Sequence, residues 1–385
     1  MAELRVAVLG TRGFPGVQGG VETHCQELYP RLAAKGLDIT VFGRRGYLPA
    51  EAYNYRGVKV VPLPSIRRKN LEAVSHSVWA LYQAARTRPR FNLVHIHTIG
   101  PGLFTPAARL AGFKIVVTNH GPDYERKKWG RLAKTMLHLG EAVSARYAHA
   151  VISVSKTIQA LLLEKYGRQS TYIPNGVVVP AKQGPGPVLA RFGLVPGQYV
   201  LAVGRFVPEK GFHDLLAACR DLPGEVRLVL AGGADHEDDY SRALKTQAAK
   251  NSRVIITGIV TGRELAEIYA NARLFVLPSY HEGLPLVLLE ALSYSLPALV
   301  SAIPANLEIL SEPEWTFPPG DVQALRARLF AALSRSQAPD WTRRLQDRLV
   351  EEFNWDKIAE ATLALYLSVL SCSPNQAQGC PSCNN

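Results

Sequence analysis

Apolar runs that read as buried strands alternate with segments of helical spacing along most of the chain, and this alternation restricts the fold more than any other feature. In the first half the strand patterns are Val6–Gly10, Ile39–Phe42, Val58–Pro62, Leu93–His97, Ile115–Asn119 and Ala150–Val154. Helical patterns such as Glu22–Lys35 and Leu71–Arg86 fill the gaps. Strands apolar on both faces suit a parallel sheet covered by helices on each side. The pattern breaks at Tyr172-Ile173-Pro174-Asn175-Gly176 and through the Gly- and Pro-rich Ala181–Pro187, a candidate hinge. It restarts with Val200–Gly204, Val226–Gly232, Val254–Gly258, Leu274–Leu277 and Ala298–Ala302. At 385 residues the chain exceeds one ordinary core. The expectation is an α/β protein of two doubly wound parallel-sheet domains facing each other across a cleft, residues 1–178 and 179–352. A helical segment at 353–370 opens with Asn354-Trp355-Asp356 and could return to the first domain, and residues 371–385 read as a disordered tail. Ligands of doubly wound sheets bind beyond the carboxyl ends of the strands, where every motif below falls.

The net charge of +12 is unevenly spread. Residues 1–200 hold 27 Lys+Arg against 10 Asp+Glu, a net +17, whereas residues 201–385 hold 17 against 22, a net −5. A basic first domain suits a polyanion or an anionic membrane. Nucleic acid is the rival partner, but no helix-turn-helix, RNA-binding aromatic pair or zinc finger accompanies the charge. No apolar stretch is long enough to span a bilayer, and the first residues run straight into a strand pattern rather than a signal peptide. The chain is therefore expected in the cytoplasm, with the inner face of the cell membrane as a candidate docking surface. Cys25 and Cys219 fall in helix-like segments as small apolar residues. Cys372, Cys380 and Cys383 sit in the polar tail and lack a fourth zinc ligand nearby.

Two carboxylates, Glu282 and Glu290, bracket a helix start in His281-Glu282-Gly283-Leu284-Pro285-Leu286. Proline is pre-set for a first helical position, so the helix is expected to begin at Pro285, with its free N–H groups facing Gly283 and Leu284. Eight residues at helical rise span at most about 12 Å, enough for one carboxylate to meet a sugar and the other a ribose across a diphosphate. An ordinary amphipathic helix with a solvated Glu at each end fits the same residues. After the strand pattern at Val200, Arg205 and Lys210 flank a bent loop, Arg205-Phe206-Val207-Pro208-Glu209-Lys210-Gly211. Fixed cations at a strand end stabilise a departing diphosphate, although two solvated loop cations, one paired with Glu209, are the plainer alternative.

The first strand pattern leads into Gly10-Thr11-Arg12-Gly13-Phe14-Pro15-Gly16-Val17-Gln18-Gly19-Gly20. Gly19-Gly20, just before a helix, would let backbone N–H groups approach phosphate or sugar oxygens, unless the loop is a flexible connector. Its spacing is not that of a dinucleotide fingerprint, and no acidic ribose binder follows Phe42-Gly43-Arg44. His120, in Thr118-Asn119-His120-Gly121, could hydrogen-bond a reacting sugar or phosphate, or be structural. His95 and His97 face one side of a strand, but a third metal ligand is not identifiable from sequence, which makes them core or cleft-lining. Asp235-His236-Glu237-Asp238-Asp239 could hold a divalent ion, and reads more simply as a solvated acidic loop. Lys127–Val143 sets an apolar stripe, Trp129, Leu132, Met136 and Val143, beside Lys127, Arg131 and Lys134. With Arg67, Arg68 and Lys69 this suits docking on an anionic bilayer, and equally a core helix with a wet basic face.

Together these motifs resemble the retaining glycosyltransferases of the family 4 type, whose GT-B architecture pairs two Rossmann-like domains. The resemblance runs from Gly19-Gly20 to Asn354-Trp355-Asp356, and its most specific part joins Glu282 and Glu290 with Gly204-Arg205 and Lys210-Gly211. Pro174-Asn175-Gly176-Val177 adds to it. It implies that Arg205 and Lys210 bind the donor diphosphate and Glu290 the ribose. Glu282 with the backbone of Gly283 and Leu284 would hold the donor sugar, His120 would lie near the reacting carbon, and Gly19-Gly20 would close on the donor. The implied reaction moves a sugar from a nucleotide-sugar donor to a hydroxyl of a glycan or lipid-linked acceptor, with retained configuration, no metal and no other cofactor. The opening Arg12-Gly13-Phe14-Pro15 through Gly20-Val21-Glu22-Thr23 is similar to a bacterial subset with rhamnosyltransferases, which implies cell-envelope, capsule or lipopolysaccharide assembly. Alternatives are a sugar-nucleotide epimerase on a related scaffold and a non-catalytic sugar-nucleotide-binding scaffold. Donor base, sugar, acceptor and oligomeric state are not legible.

Overall fold

The structure, a computed structural model, describes residues 4–66, 71–125, 130–180, 183–235, 237–335 and 340–371. It divides into two compact units, Met1–Asn175 with Trp355–Asn385, and Gly176–Asn354. Arg67, Arg68, Lys69, Lys127, Trp129, His236, Cys372, Cys380 and Cys383, all singled out above, lie outside the described residues, as do residues 372–385 of the expected tail.

The first unit holds β1 (Arg5–Leu9), β2 (Asp38–Arg44), β3 (Tyr53–Tyr55), β4 (Val58–Leu63), β5 (Leu93–His97), β6 (Lys114–Asn119), β7 (Ala150–Ser153) and β8 (Thr171–Tyr172). They form one sheet in the order β3-β4-β2-β1-β5-β6-β7-β8, parallel except for β3, which runs antiparallel to β4. Val6, Ala7, Val8, Leu93 and Val94 are fully buried, as strands covered on both faces require. The chain winds outward from β1 in one direction, then returns to start again at β5, so the strand order reverses between β1 and β5. Brief β3 escapes sequence detection because three residues show no period; Arg56 and Gly57, both at positive φ (49° and 86°), make the tight hairpin that joins it to β4.

The second unit holds β9 (Tyr199–Val203), β10 (Arg227–Ala231), β11 (Val254–Gly258), β12 (Leu274–Leu277), β13 (Ala298–Ser301) and β14 (Thr316–Phe317). Their order, β11-β10-β9-β12-β13-β14, is parallel throughout and reverses between β9 and β12. The loops after β9 and β12 are therefore the ones a ligand of this unit should meet.

Several boundaries differ from the sequence expectation. The first helix spans Gly20–Ala34, so Gly20 is helical rather than part of the loop. The helix after β12 spans Leu286–Ser293, with Pro285 as its cap and not its first residue. Pro285 adopts an extended ψ of 99°, yet its carbonyl accepts from the amides of Leu288 and Leu289. Pro187, expected in the hinge, begins a short helix, Pro187–Arg191. Ser371, expected in the tail, ends the Trp355–Ser371 helix. That helix packs in the first unit, laying Trp355, Ile358, Ala359, Thr362 and Tyr366 inward while Asp356 and Glu360 pair with Arg31 and Lys35 of the Gly20–Ala34 helix, each at 3.1 Å. The apolar face carries this packing, since exposed ion pairs contribute at most about 1 kcal/mol each.

Candidate functional site

In the second unit, Arg205, Lys210, Glu282 and Glu290 occupy the two loops at the strand reversal and the helix that follows. Gly211 ends the Lys210 loop at φ 66°, and a Cβ there would collide with the Pro278 carbonyl oxygen just past β12. Only glycine permits both that backbone shape and that approach. The Tyr280 amide donates to the Glu209 carbonyl at 2.8 Å, which stitches the two loops together. Lys210 Nζ consequently reaches Glu282 Oε1 at 2.5 Å, and Ser279 Oγ donates to the same oxygen at 2.7 Å. Burial works to raise the Glu282 pKa, but the charge and hydrogen bond of Lys210, with help from Ser279, hold it below the ordinary value.

Arg205 pairs with Asp235 at 3.2 Å, across the loop that follows β10. Neither cation is a solvated loop charge: each is held by a carboxylate other than Glu209. The acidic segment is likewise spoken for, since Asp238 caps the Asp239–Ala248 helix, Asp239 pairs with Arg242, and Glu237 pairs with Lys245. Glu290, in the Leu286–Ser293 helix, accepts from the Tyr269 hydroxyl at 3.1 Å beside the stacked rings of Tyr269 and Tyr294. Gly283 and Leu284 lie between the two carboxylates, directly before the cap, where the first-turn N–H groups of Leu286 and Val287 have no acceptor inside the helix. Oxygen-rich anionic ligands suit this set of groups, which offers two anchored cations, a helix start and a carboxylate for hydroxyls.

In the first unit, the loop after β1 is not a flexible connector. Arg12 donates from its amide, Nε and Nη2 to the Glu22 carboxylate at 3.0, 3.2 and 3.0 Å, in a buried pair. Burial favours the neutral acid, yet Arg12 keeps Glu22 below its usual pKa. Gly19, at φ 152°, caps the helix directly against this pair, and Gly20 is exposed at its start. The Arg12–Glu22 clamp went unrecognised from sequence, although an Arg and a Glu flanking a glycine loop are its visible signal.

His120 follows β6, where the Asn119 side chain accepts from the Gly121 amide at 2.9 Å and shapes the turn. His120 Nε2 lies 2.9 Å from His97 Nδ1, and the His24 ring centre is 5.0 Å from that of His120. His95 and His97 are buried and stacked at 4.3 Å. Among the described residues His95 and His97 gain no third ligand as a pair; His97 instead meets His120 and His24, on the Gly20–Ala34 helix, and His24, His97 and His120 present ring nitrogens within 4.8 Å of one another. Burial depresses all three pKa values, that of His24 to about 4, so the rings are neutral at physiological pH.

The segment expected to carry an amphipathic stripe is a helix over Arg131–Tyr147. Its buried face is Gly140, Glu141, Ser144 and Ala145, whereas Leu132, Met136 and Leu139 are exposed, by 77%, 38% and 52%. Of the expected stripe, Leu132 and Met136 thus face solvent while Val143 is half-buried, so the helix packs by one face and leaves an apolar strip uncovered. Among the described residues, no helix is long and apolar enough to cross a membrane.

Comparison with known proteins places the fold in a family. Residues 18–179 match the family described as Glycosyltransferase Family 4, and residues 195–352 match Glycosyl transferases group 1. The chain is 28% identical over 399 residues to α-maltose-1-phosphate synthase of Mycolicibacterium smegmatis, covering 95% of this chain and 100% of that protein. It is 30% identical over 187 residues to O-antigen chain mannosyltransferase B of Escherichia coli, 47% of this chain and 48% of that one. The crystal structure of Anabaena HepE in complex with UDP-glucose superposes with a TM-score of 0.79 at 18% identity, covering 95% of this chain and 100% of that one. This chain belongs to the glycosyltransferases, with a family 4 domain ahead of a group 1 domain in the GT-B fold.

Proposed function

We propose that this glycosyltransferase transfers a hexose from a nucleotide-sugar donor, with retained anomeric configuration, to a hydroxyl of a glycan or lipid-linked acceptor during cell-envelope polysaccharide assembly. The observation that carries the donor assignment is the Lys210–Glu282–Ser279 contact, which fixes an ammonium at the strand reversal of the second unit. Lys210 and Arg205 neutralise the diphosphate as it leaves, Glu290 takes the ribose hydroxyls, and Glu282 with the backbone of Gly283 and Leu284 takes the sugar. Glu282 and Lys210 thereby act together, because a carboxylate that orients the cation also presents its second oxygen to a hydroxyl. In the reaction the anomeric carbon–oxygen bond to the diphosphate breaks, and the acceptor oxygen bonds to that carbon on the same face. The acceptor proton passes to the departing phosphate oxygen. No side-chain nucleophile and no metal at the diphosphate is required, since fixed cations and a helix start supply the charge. His120 and the Gly19-Gly20 backbone are assigned to the donor by the family resemblance.

Support for the donor class comes from the HepE complex with UDP-glucose, and support for an envelope role from the O-antigen mannosyltransferase relative. The exposed Leu132, Met136 and Leu139 beside Arg131 and Lys134 favour an anionic bilayer as the surface on which a lipid-linked acceptor is met. The test is a panel of nucleotide sugars, with free nucleotide release followed with and without extracted envelope acceptors, and product anomers read by NMR. Acceptor-stimulated release with a retained anomer supports the reading; an altered free sugar nucleotide would mean epimerisation, and an inverted product would end the retaining scheme. For the membrane, the Leu132→Gln/Leu139→Gln double variant should lose most vesicle co-sedimentation with phosphatidylglycerol liposomes while its melting temperature stays within a few degrees. Undiminished sedimentation would contradict docking through this helix.

A further inference from the structure

Each ring of the His24, His97 and His120 cluster offers one nitrogen within 4.8 Å of the other two, and hydrogen bonds outside the cluster hold two of the rings. His24 Nδ1 lies 2.9 Å from Asn175 Oδ1, an acceptor, so Nδ1 carries the proton and Nε2 the lone pair. That Nε2 is buried and has no hydrogen-bond partner among the described residues. Such an orphan costs stability, a penalty that a ligand would remove. For His97 the outward nitrogen, Nε2, meets the Tyr29 hydroxyl at 2.5 Å, and Tyr29 also reaches His95 Nδ1 at 2.9 Å. His95 places Nε2 2.7 Å from the Thr118 hydroxyl and also meets the Tyr366 hydroxyl through Nδ1. With the His95 proton on Nε2, Tyr29 donates to His95 Nδ1 and accepts from His97 Nε2–H. His97 Nδ1 is then left as a lone pair that accepts from His120 Nε2–H at 2.9 Å, so a metal ion would bind His120 only in the tautomer with its proton moved to Nδ1.

We propose that His24 Nε2, His97 Nδ1 and His120 Nε2 form a binding site for a first-row divalent transition metal of the zinc type. Three imidazoles and no carboxylate select zinc, nickel, copper or cobalt over magnesium and calcium, which prefer oxygen. Tetrahedral ligation at about 2.0–2.1 Å places neighbouring nitrogens a little over 3 Å apart, so modest ring rotations close the cluster from its present spread. Asn175 and Tyr29 supply the outer hydrogen bonds that metal-ligating histidines use to fix their tautomer. Only His120 is part-exposed, which leaves the fourth position open on its side for water or an anion. Such an ion is not the counter-ion of the donor diphosphate, which would need oxygen ligands. It would instead occupy the His120 nitrogen assigned to the donor, and that consequence, unlike binding itself, rests on the proposed function.

Binding is tested on the full chain carrying Cys372→Ser, Cys380→Ser and Cys383→Ser, so that tail thiols contribute nothing. Equilibrium dialysis should give one Zn²⁺ per chain and no Mg²⁺. The Co²⁺ adduct should show tetrahedral ligand-field bands without thiolate charge transfer, and three exchangeable imidazole N–H signals shifted by the paramagnetic ion. His120→Ala should abolish the bands, and Asn175→Ala should weaken Co²⁺ affinity about 10–100-fold. Absence of stoichiometric Zn²⁺, an adduct with fewer than three imidazole signals, or unchanged affinity in variants that melt like the parent would overturn the site. The imidazole signals decide the matter even where a variant folds poorly. Metal binding is read without any donor or acceptor present, so its failure and the failure of the transfer reaction are separate results.

Discussion

At the scale of single residues, the proposed donor site depends on charges that are already paired. Lys210→Ala removes the cation and also leaves the Glu282 carboxylate, buried beside Ser279, without its counter-charge. The expected result is a fall in kcat of about 10²–10³, the size of effect seen when one stabiliser of developing charge is lost. Glu290→Ala removes the carboxylate proposed for the ribose, and with it a partner of Tyr269, so donor KM should rise by roughly 10-fold or more with kcat less affected, as for a lost charge-assisted hydrogen bond. Steady-state kinetics on the productive donor separates the two, and unimpaired kinetics in both would discard the assignment. Gly211→Ala tests the scaffold rather than the chemistry. A side chain at φ 66° against the Pro278 carbonyl should destabilise the protein by at least about 2 kcal/mol in denaturant unfolding. The residue types and their loops were readable in the sequence, because cations, glycines and carboxylates at strand ends carry local signals. Their partners were not. Asp235 for Arg205, Lys210 for Glu282 and Tyr269 for Glu290 come from other loops and helices, and no local pattern announces them.

At the scale of elements, β5 gives the first unit an unusual weakness to acid. It carries His95 and His97, packed against His24 of the Gly20–Ala34 helix and against His120 after β6. Burial lowers the His24 pKa from 6.5 to about 4 and the His95 pKa to about 3. The unfolded chain therefore takes up protons below pH 6.5 that the folded chain refuses, so this stability is whole above that pH and drains away as pH falls toward 4. His24 alone accounts for about 3 kcal/mol of it, because each pH unit separating its folded and unfolded pKa is worth about 1.4 kcal/mol. Trp355, with its ring 5.5 Å from that of His24, should report the change. The urea midpoint followed by tryptophan fluorescence should drop steeply between pH 6.5 and 4, and His24→Gln should flatten the slope. A midpoint independent of pH across that window would contradict the buried-neutral assignment. The same element shows what strand alternation can and cannot tell: it places His95 and His97 on one face, where both are buried as expected of core residues, but His24 approaches His97 from a helix far away in sequence.

At the scale of the whole molecule, the division of the chain does not follow its linear order. The second unit is the continuous stretch Gly176–Asn354, whereas the first recovers the Trp355–Ser371 helix after the chain has completed the other unit. Tyr366 of that helix is fully buried and hydrogen-bonded to His95 at 2.5 Å. A fragment of residues 176–354 should accordingly fold with a cooperative melt, while residues 1–175 alone should not, because Tyr29, His95 and the inner face of the Gly20–Ala34 helix would lose their cover. Adding the 355–371 peptide in trans should restore structure, read by near-UV circular dichroism. A cooperative melt for residues 1–175 by themselves would refute this.

The sequence alone determined the alternation of strands and helices, the parallel sheets, the break between two units and the loops that bear cations and carboxylates. Those features arise from local periodicity and from backbone preferences of glycine and proline, which act between near neighbours. Tertiary structure decided which charge faces which, that Leu132, Met136 and Leu139 turn outward, that the last helix covers the first unit, and that three histidines from a helix, a strand and a loop converge. Each of those outcomes depends on groups distant along the chain packing at one place, where burial and electrostatics set the result and sequence spacing carries no record of it.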